Sequence, residues 1–274
     1  MKVSFDIPIT HLELTKYNDI DFILPINCEN KEYKDFFKNS KKYKILDNGL
    51  AEDNQMNFRK LITLAEELDV NEIVVPDDFE SGRKSLKKTT TFIMEYGDRL
   101  HNQNIKLMGV VHGKNLIDYL GLLKKLYNNV FIDVIGIPFL LPGIYIDDSL
   151  NFSNENFELV YNNTQIYTLG RLMLTKYMYD NNMTDKPVHL LGMNNPIETL
   201  YQARYGFVRS IDSASPIAAG IQNIKYGSTG LKEKIRYNKS YYTTTIDKDQ
   251  MEIVMHNINM VKKWAYVENT NFNT

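Results

Sequence analysis

"GFVRSIDSASPIAAG", Gly206 to Gly220, reads as one strand handed to one helix. Phe207, Val208 and Ile211 are strand-type residues. Ser215-Pro216 has the form of an N-cap followed by a proline in the first helical turn. Between them stands Asp212. A carboxylate at a strand end is either a turn residue bonded to nearby backbone N–H groups or a nucleophile held at the mouth of a barrel. The surrounding sequence bears on that choice through the fold.

The same unit recurs upstream. "KILDNG" holds a short strand ahead of Asp47, and "NEIVVPDD" ends in Asp77 and Asp78. "IKLMGVVHG" ends at His112 and Gly113, "VFIDVIGIP" ends near Gly136, and "PVHLLGMNNP" ends near Gly192. Helical patterns separate these runs. Phe58, Leu61, Ile62, Ala65 and Leu68 share one face, as do Leu116, Leu120, Leu123 and Tyr127. Leu86 to Leu100 and Ile166 to Met178 also read as helices. Asn195, Pro196 and Glu198 predict a capped helix start, with Gly206 just past its end. Near the C-terminus, Ile253, His256, Asn257, Met260, Val261 and Trp264 form a helical stripe suited to packing.

Strand–helix alternation predicts a parallel sheet. With "VSFDIPI" and "DFILPI" there are about eight strand candidates, the number of a (β/α)8 TIM barrel. The expectation is one barrel domain over residues 1–274, with a loop insertion at 141–163. A doubly wound open sheet is the alternative. No Gly-x-Gly-x-x-Gly follows a strand and no Walker-type loop is present, which weakens a nucleotide-cofactor reading.

Composition narrows the class. Of the 274 residues 43% are hydrophobic and 24% charged, ordinary for a soluble domain. There is no apolar run of membrane-spanning length and no signal-peptide pattern at the N-terminus. Cys28 is the single cysteine, so an internal disulfide and a cysteine-rich zinc site are both excluded, and a cytoplasmic setting is expected. No metal and no cofactor is expected. The net charge of −2 gives no global signal for a polyanion, so any nucleic-acid contact falls to local basic segments. These are Lys38/Lys41/Lys42/Lys44, Arg83/Lys84/Lys87/Lys88, and Lys225/Lys232/Lys234/Arg236/Lys239, the last interleaved with Tyr226, Tyr237, Tyr241 and Tyr242. Each reads equally well as a solvated surface.

In a barrel the strand C-termini converge on the face where sites are built. Asp47, Asp77 or Asp78, and Asp212 then suit glycosyl chemistry, which needs one nucleophile, one acid/base and one acceptor of a base's N–H groups. The segment "HLLGMNNPIETLYQARYGFVRSIDSASP", His189 to Pro216, resembles the tRNA-guanine transglycosylase superfamily. So do "KILDNGLAED", "EIVVPDDFESG", "LMGVVHGKN" and "FIDVIGIPFLLPG", in the same order along the chain. The resemblance implies Asp212 as nucleophile and Asp47 as general acid/base. It implies Asp78 or Asp77, His112, Gly136 and Gly192 around the base. His112 stands where the family has a glutamine, and would meet the base's carbonyl or N7 edge.

The departures are specific. The cysteine and histidine zinc site of the tRNA enzymes is missing, as is an appended RNA-binding domain. Leu50 replaces a glycine, and the segment after Asp212 lacks the family's usual arginine. Short zinc-free forms resemble the phage and bacterial branch that places 7-deazaguanines such as preQ0 into DNA. The expected reaction is exchange of guanine through a covalent aspartyl-glycosyl intermediate. DNA is favoured over tRNA as the polymer, with Arg83, Lys84, Lys232, Lys234 and Arg236 on its phosphates. A zinc-free tRNA enzyme, a non-catalytic nucleic-acid-binding barrel and an unrelated nucleoside hydrolase are the alternatives.

Overall fold

The computed structural model describes residues 1–51, 55–139, 163–193, 195–228, 230, 235 and 240–266, with 163–167 as backbone. The chain is a (β/α)8 barrel. Its strands are β1 (Lys2–Phe5), β2 (Asp21–Ile23), β3 (Lys44–Leu46), β4 (Glu72–Val74), β5 (Lys106–Val110), β6 (Val134–Pro138), β7 (Val188–Leu191) and β8 (Val208–Ser213). The described helices are α1 (Lys31–Asn39), α2 (Phe58–Leu68), α3 (Gly82–Asn102), α4 (Leu116–Tyr127), α5 (Asn163–Asp180), α6 (Glu198–Gln202), α7 (Ser215–Ile221) and α8 (Lys248–Ala265). All paired strands are parallel, in the order β1-β8-β7-β6-β5-β4-β3-β2.

Alternation along each strand builds two cores. Phe22, Ile45, Val74, Met108, Val110 and Val134 fill the barrel. Ile23, Leu46, Ile73, Leu107 and Ile135 point the other way, into a shell shared with Leu61, Ala65, Phe92, Leu123 and Val254 of the helices. This parity positions the site. Asp47 lies two residues beyond Ile45, and His112 two beyond Val110, so both continue the inward-facing rows at the strand C-termini.

The ring lacks a ladder only between β1 and β2. Side chains close that seam and satisfy backbone groups that a ladder would otherwise hold. Asn18 Oδ1 accepts the Phe5 N–H at 2.9 Å, Asp19 Oδ2 accepts the Val3 N–H at 2.9 Å, and Ser4 Oγ accepts the Phe22 N–H at 3.1 Å. At the N-terminal end, Arg209 grips Glu72 with two hydrogen bonds of 2.8 and 2.9 Å, and Tyr43 donates to Glu72 at 2.7 Å. Glu72 is fully buried, so this cluster plugs the floor.

Several boundaries differ from the sequence reading. Gly136 lies inside β6, paired with Val110 and His189, and the strand runs on to Pro138. β8 runs one residue past Asp212, to Ser213. Ser215 is the first residue of α7 and not its cap. Its hydroxyl bonds the Tyr226 hydroxyl at 2.8 Å, and Ser213 Oγ takes the Ser215 N–H instead. Asn195 and Pro196 form a turn ahead of α6, whose cap is Ile197. α6 ends at Gln202, so Gly206 is four residues beyond it and has no left-handed backbone to provide. The proposed insertion, but for Asn163 at the start of α5, lies outside the described residues. None of the described helices is long and apolar enough to cross a membrane.

Candidate active site at the strand C-termini

Asp212 is 5% exposed. Its Oδ1 receives His189 Nε2 at 3.0 Å and the Gly192 N–H at 3.1 Å. Both come from β7 and the residue after it, so Asp212 is neither an Asx-turn nor a helix cap. The imidazole is itself fixed: Ser210 Oγ lies 2.8 Å from Nδ1 and the Phe22 ring stacks on it at 5.3 Å. With Ser210 donating to Nδ1, Nε2 carries the proton given to Asp212. Oδ2 makes no hydrogen bond among the described residues. One oxygen is anchored while the other remains available at the mouth.

Gly192 is required by geometry. Its φ is +67°, and a Cβ there would lie 2.6 Å from Phe139 Cδ1. Its carbonyl is held by Arg171 Nη2 at 2.8 Å. Arg171 is fully buried, bonds the carbonyls of Ile137 and Leu191, and is clamped by Glu198 through Nε at 2.6 Å and Nη2 at 2.7 Å. Thus Glu198 and Arg171 fix the peptide that supports Asp212. The sequence reading missed this pair, and it missed His189 as the partner of Asp212. A lone arginine in the apolar helix "LGRLMLTKYMY" was the available signal.

Asp47 is 8% exposed, and its Oδ2 accepts the Gly49 N–H at 3.0 Å. Asp77 and Asp78 separate cleanly. Asp77 is buried, with Oδ1 accepting from Asn48 Nδ2 at 2.8 Å and Oδ2 lying 2.5 Å from His112 Nε2. Asp78 turns outward, accepts the Glu80 N–H, and pairs with Lys88 at 2.8 Å. Burial acts to raise its pKa, but the Lys88 bond and the Glu80 N–H hold the carboxyl below its ordinary value. Of the two aspartates the resemblance offers, the fold thus turns Asp77 inward and Asp78 outward. His112 Nδ1 is buried without a partner among the described residues. Gly136 lines the interior, where a Cβ would lie 3.1 Å from Met108 Sδ and from Val110 Cγ2.

The basic segments divide. Lys42 Nζ donates to the Thr15 and Asn18 carbonyls, and Lys44 Nζ to the Leu68 carbonyl, so these two lysines are structural. Arg83 and Lys84 occupy the first turn of α3, which follows β4 on the mouth side, and both are exposed. Lys84 pairs with Glu80. Lys232, Lys234 and Arg236 lie outside the described residues. Tyr226 and Tyr241 are buried packing groups and no stacking platform. Among the described residues no group of three or more His, Cys, Asp or Glu side chains is arranged to hold a metal ion. No family model matches the chain, and no curated protein matches it.

Proposed function

We propose that the chain is a guanine transglycosylase that exchanges a guanine base in nucleic acid, DNA in preference to tRNA, for a 7-deazaguanine such as preQ0. The observation that carries the reading is Asp212 on β8, with Oδ1 anchored by His189 and Gly192 and Oδ2 left toward the mouth. The order of strand-end residues along the chain supports it, since Asp47, Asp77 and His112 follow β3, β4 and β5 in turn.

The chemistry follows from these groups. A guanine inside a duplex is unreachable, so the nucleoside is flipped out or presented single-stranded. Asp212 Oδ2 attacks C1′ as the C1′–N9 bond breaks, and Asp47 delivers a proton to the departing base's ring nitrogen. A 7-deazaguanine then gives up its N9 proton to Asp47 and attacks C1′, breaking the C1′–O bond and restoring the Asp212 carboxylate. Two inversions give net retention. Arg83 and Lys84 at the mouth-side start of α3 suit phosphates flanking the flipped residue. The test is incubation with labelled guanine and either DNA or unmodified tRNA. Label entering DNA supports the reading, entry into tRNA alone moves the polymer assignment, and no label in either overturns base exchange.

A further inference from the structure

We propose that His112 Nδ1 reads the hydrogen-bond donor edge of the base, N1–H and the 2-amino group, while Asp77 orients the imidazole without touching the base. This assignment rests on the transglycosylase reading and departs from the roles that the resemblance implies.

The argument begins at Asn48. Its Oδ1 accepts the Leu50 N–H at 2.9 Å, which fixes the amide. Its Nδ2 then donates to the Val75 carbonyl at 3.0 Å and to Asp77 Oδ1 at 2.8 Å. Asp77 Oδ2 faces His112 Nε2 at 2.5 Å, and the Asp77 carbonyl takes Gln55 Nε2 at 3.0 Å. Both carboxylate oxygens are therefore engaged within the protein. A neutral imidazole has one N–H. That N–H faces Asp77, so Nδ1 presents a lone pair.

Nδ1 is nevertheless buried with no partner among the described residues. Buried polar atoms are ordinarily satisfied, and one left open at the mouth marks a place for a ligand atom. An acceptor cannot bond the O6 or N7 of guanine, which are acceptors too. N1–H and the 2-amino group are donors. Guanine and 7-deazaguanine share these donors and differ at position 7, so one acceptor holds both the leaving and the incoming base. The Phe79 ring meets the imidazole edge-on at 5.3 Å and is 45% exposed. It is the cover that the base displaces.

The test is calorimetric binding of three free bases: 7-deazaguanine, its analogue lacking the 2-amino group, and its N1-methyl analogue. The wild-type protein should bind at least one analogue tenfold or more weakly than the parent. His112→Phe keeps the ring and removes the acceptor. It should lose about tenfold for 7-deazaguanine and discriminate less than threefold among the three bases. Equal binding of all three by the wild type overturns the assignment, as does unaltered discrimination in His112→Phe. The analogue series needs no variant, so a misfolded His112→Phe leaves the test intact. If the wild type binds none of the three, the transglycosylase reading fails first and this assignment fails with it.

Discussion

His189 Nε2 lies 3.0 Å from Asp212 Oδ1, across neighbouring strands of the barrel. The ring is stacked on Phe22 and tied to Ser210, so it holds the carboxylate from a fixed position. His189→Phe keeps the stacking shape and removes the bond. Loosening the carboxylate by a fraction of an ångström should lower the exchange rate about a hundredfold. Single-turnover kinetics with protein in excess over DNA check this. A rate within a factor of two of wild type would make His189 a packing residue only.

Arg171 and Glu198 form an ion pair with both side chains buried. Arg171→Met should therefore cost about 3–5 kcal/mol, because Glu198 is left buried and uncompensated. The double variant Arg171→Met, Glu198→Met should recover part of that loss. Urea unfolding of the single and double variants measures both. Equal stability of the single variant and wild type would contradict the clamp.

The barrel and its mouth are legible in the sequence because several strands are short apolar runs closely followed by a polar residue or a glycine. Asp47, His112, Gly192 and Asp212 emerge that way, and the parity of Ile45 with Asp47 and of Val110 with His112 turns them inward. The adjacent Asp77 and Asp78 cannot be separated by pattern, since one residue of register decides which is buried. Arg171 and Glu198 are hidden for a different reason. They are distant in sequence, and Glu198 reads as an ordinary acid in a first helical turn. The β1–β2 seam is hidden too, because Asn18 and Asp19 act through side chains that have no periodicity.

Asp21 sits buried at the start of β2, with Oδ2 taking the Ser40 hydroxyl at 2.5 Å and Oδ1 without a partner among the described residues. Burial raises its pKa, against the Ser40 bond and the charges of Lys42 and Lys44. The folded value lies above the unfolded one. Stability is thus lost as pH rises from the unfolded pKa to the folded pKa, and the penalty is constant above both. Asp21→Asn should be more stable than wild type by about 1 kcal/mol at pH 7. The difference should shrink as pH falls towards the ordinary aspartate range. Urea midpoints across that range test the sign, and a gap that widens on acidification would contradict it.

Cys28 is buried against the Leu24 carbonyl, and burial pushes its thiol up to about 12, with Lys34 opposing. The thiolate is the reactive form. Native protein at pH 8 should therefore react with a disulfide reagent at least about a hundredfold more slowly than protein in urea. Complete labelling of the native chain within minutes would contradict this.

The central claim is that Asp212 forms a covalent bond to C1′ of the target nucleoside. The direct measurement is denaturing electrophoresis of the protein incubated with guanine-containing DNA, parallel to incorporation of labelled guanine. Wild-type protein should give a protein–DNA adduct that disappears when excess 7-deazaguanine is added. Asp212→Asn, correctly folded by circular dichroism, should give no adduct and lower incorporation by at least about a thousandfold. An Asp212→Asn protein that forms the adduct or exchanges guanine at the wild-type rate would contradict the account.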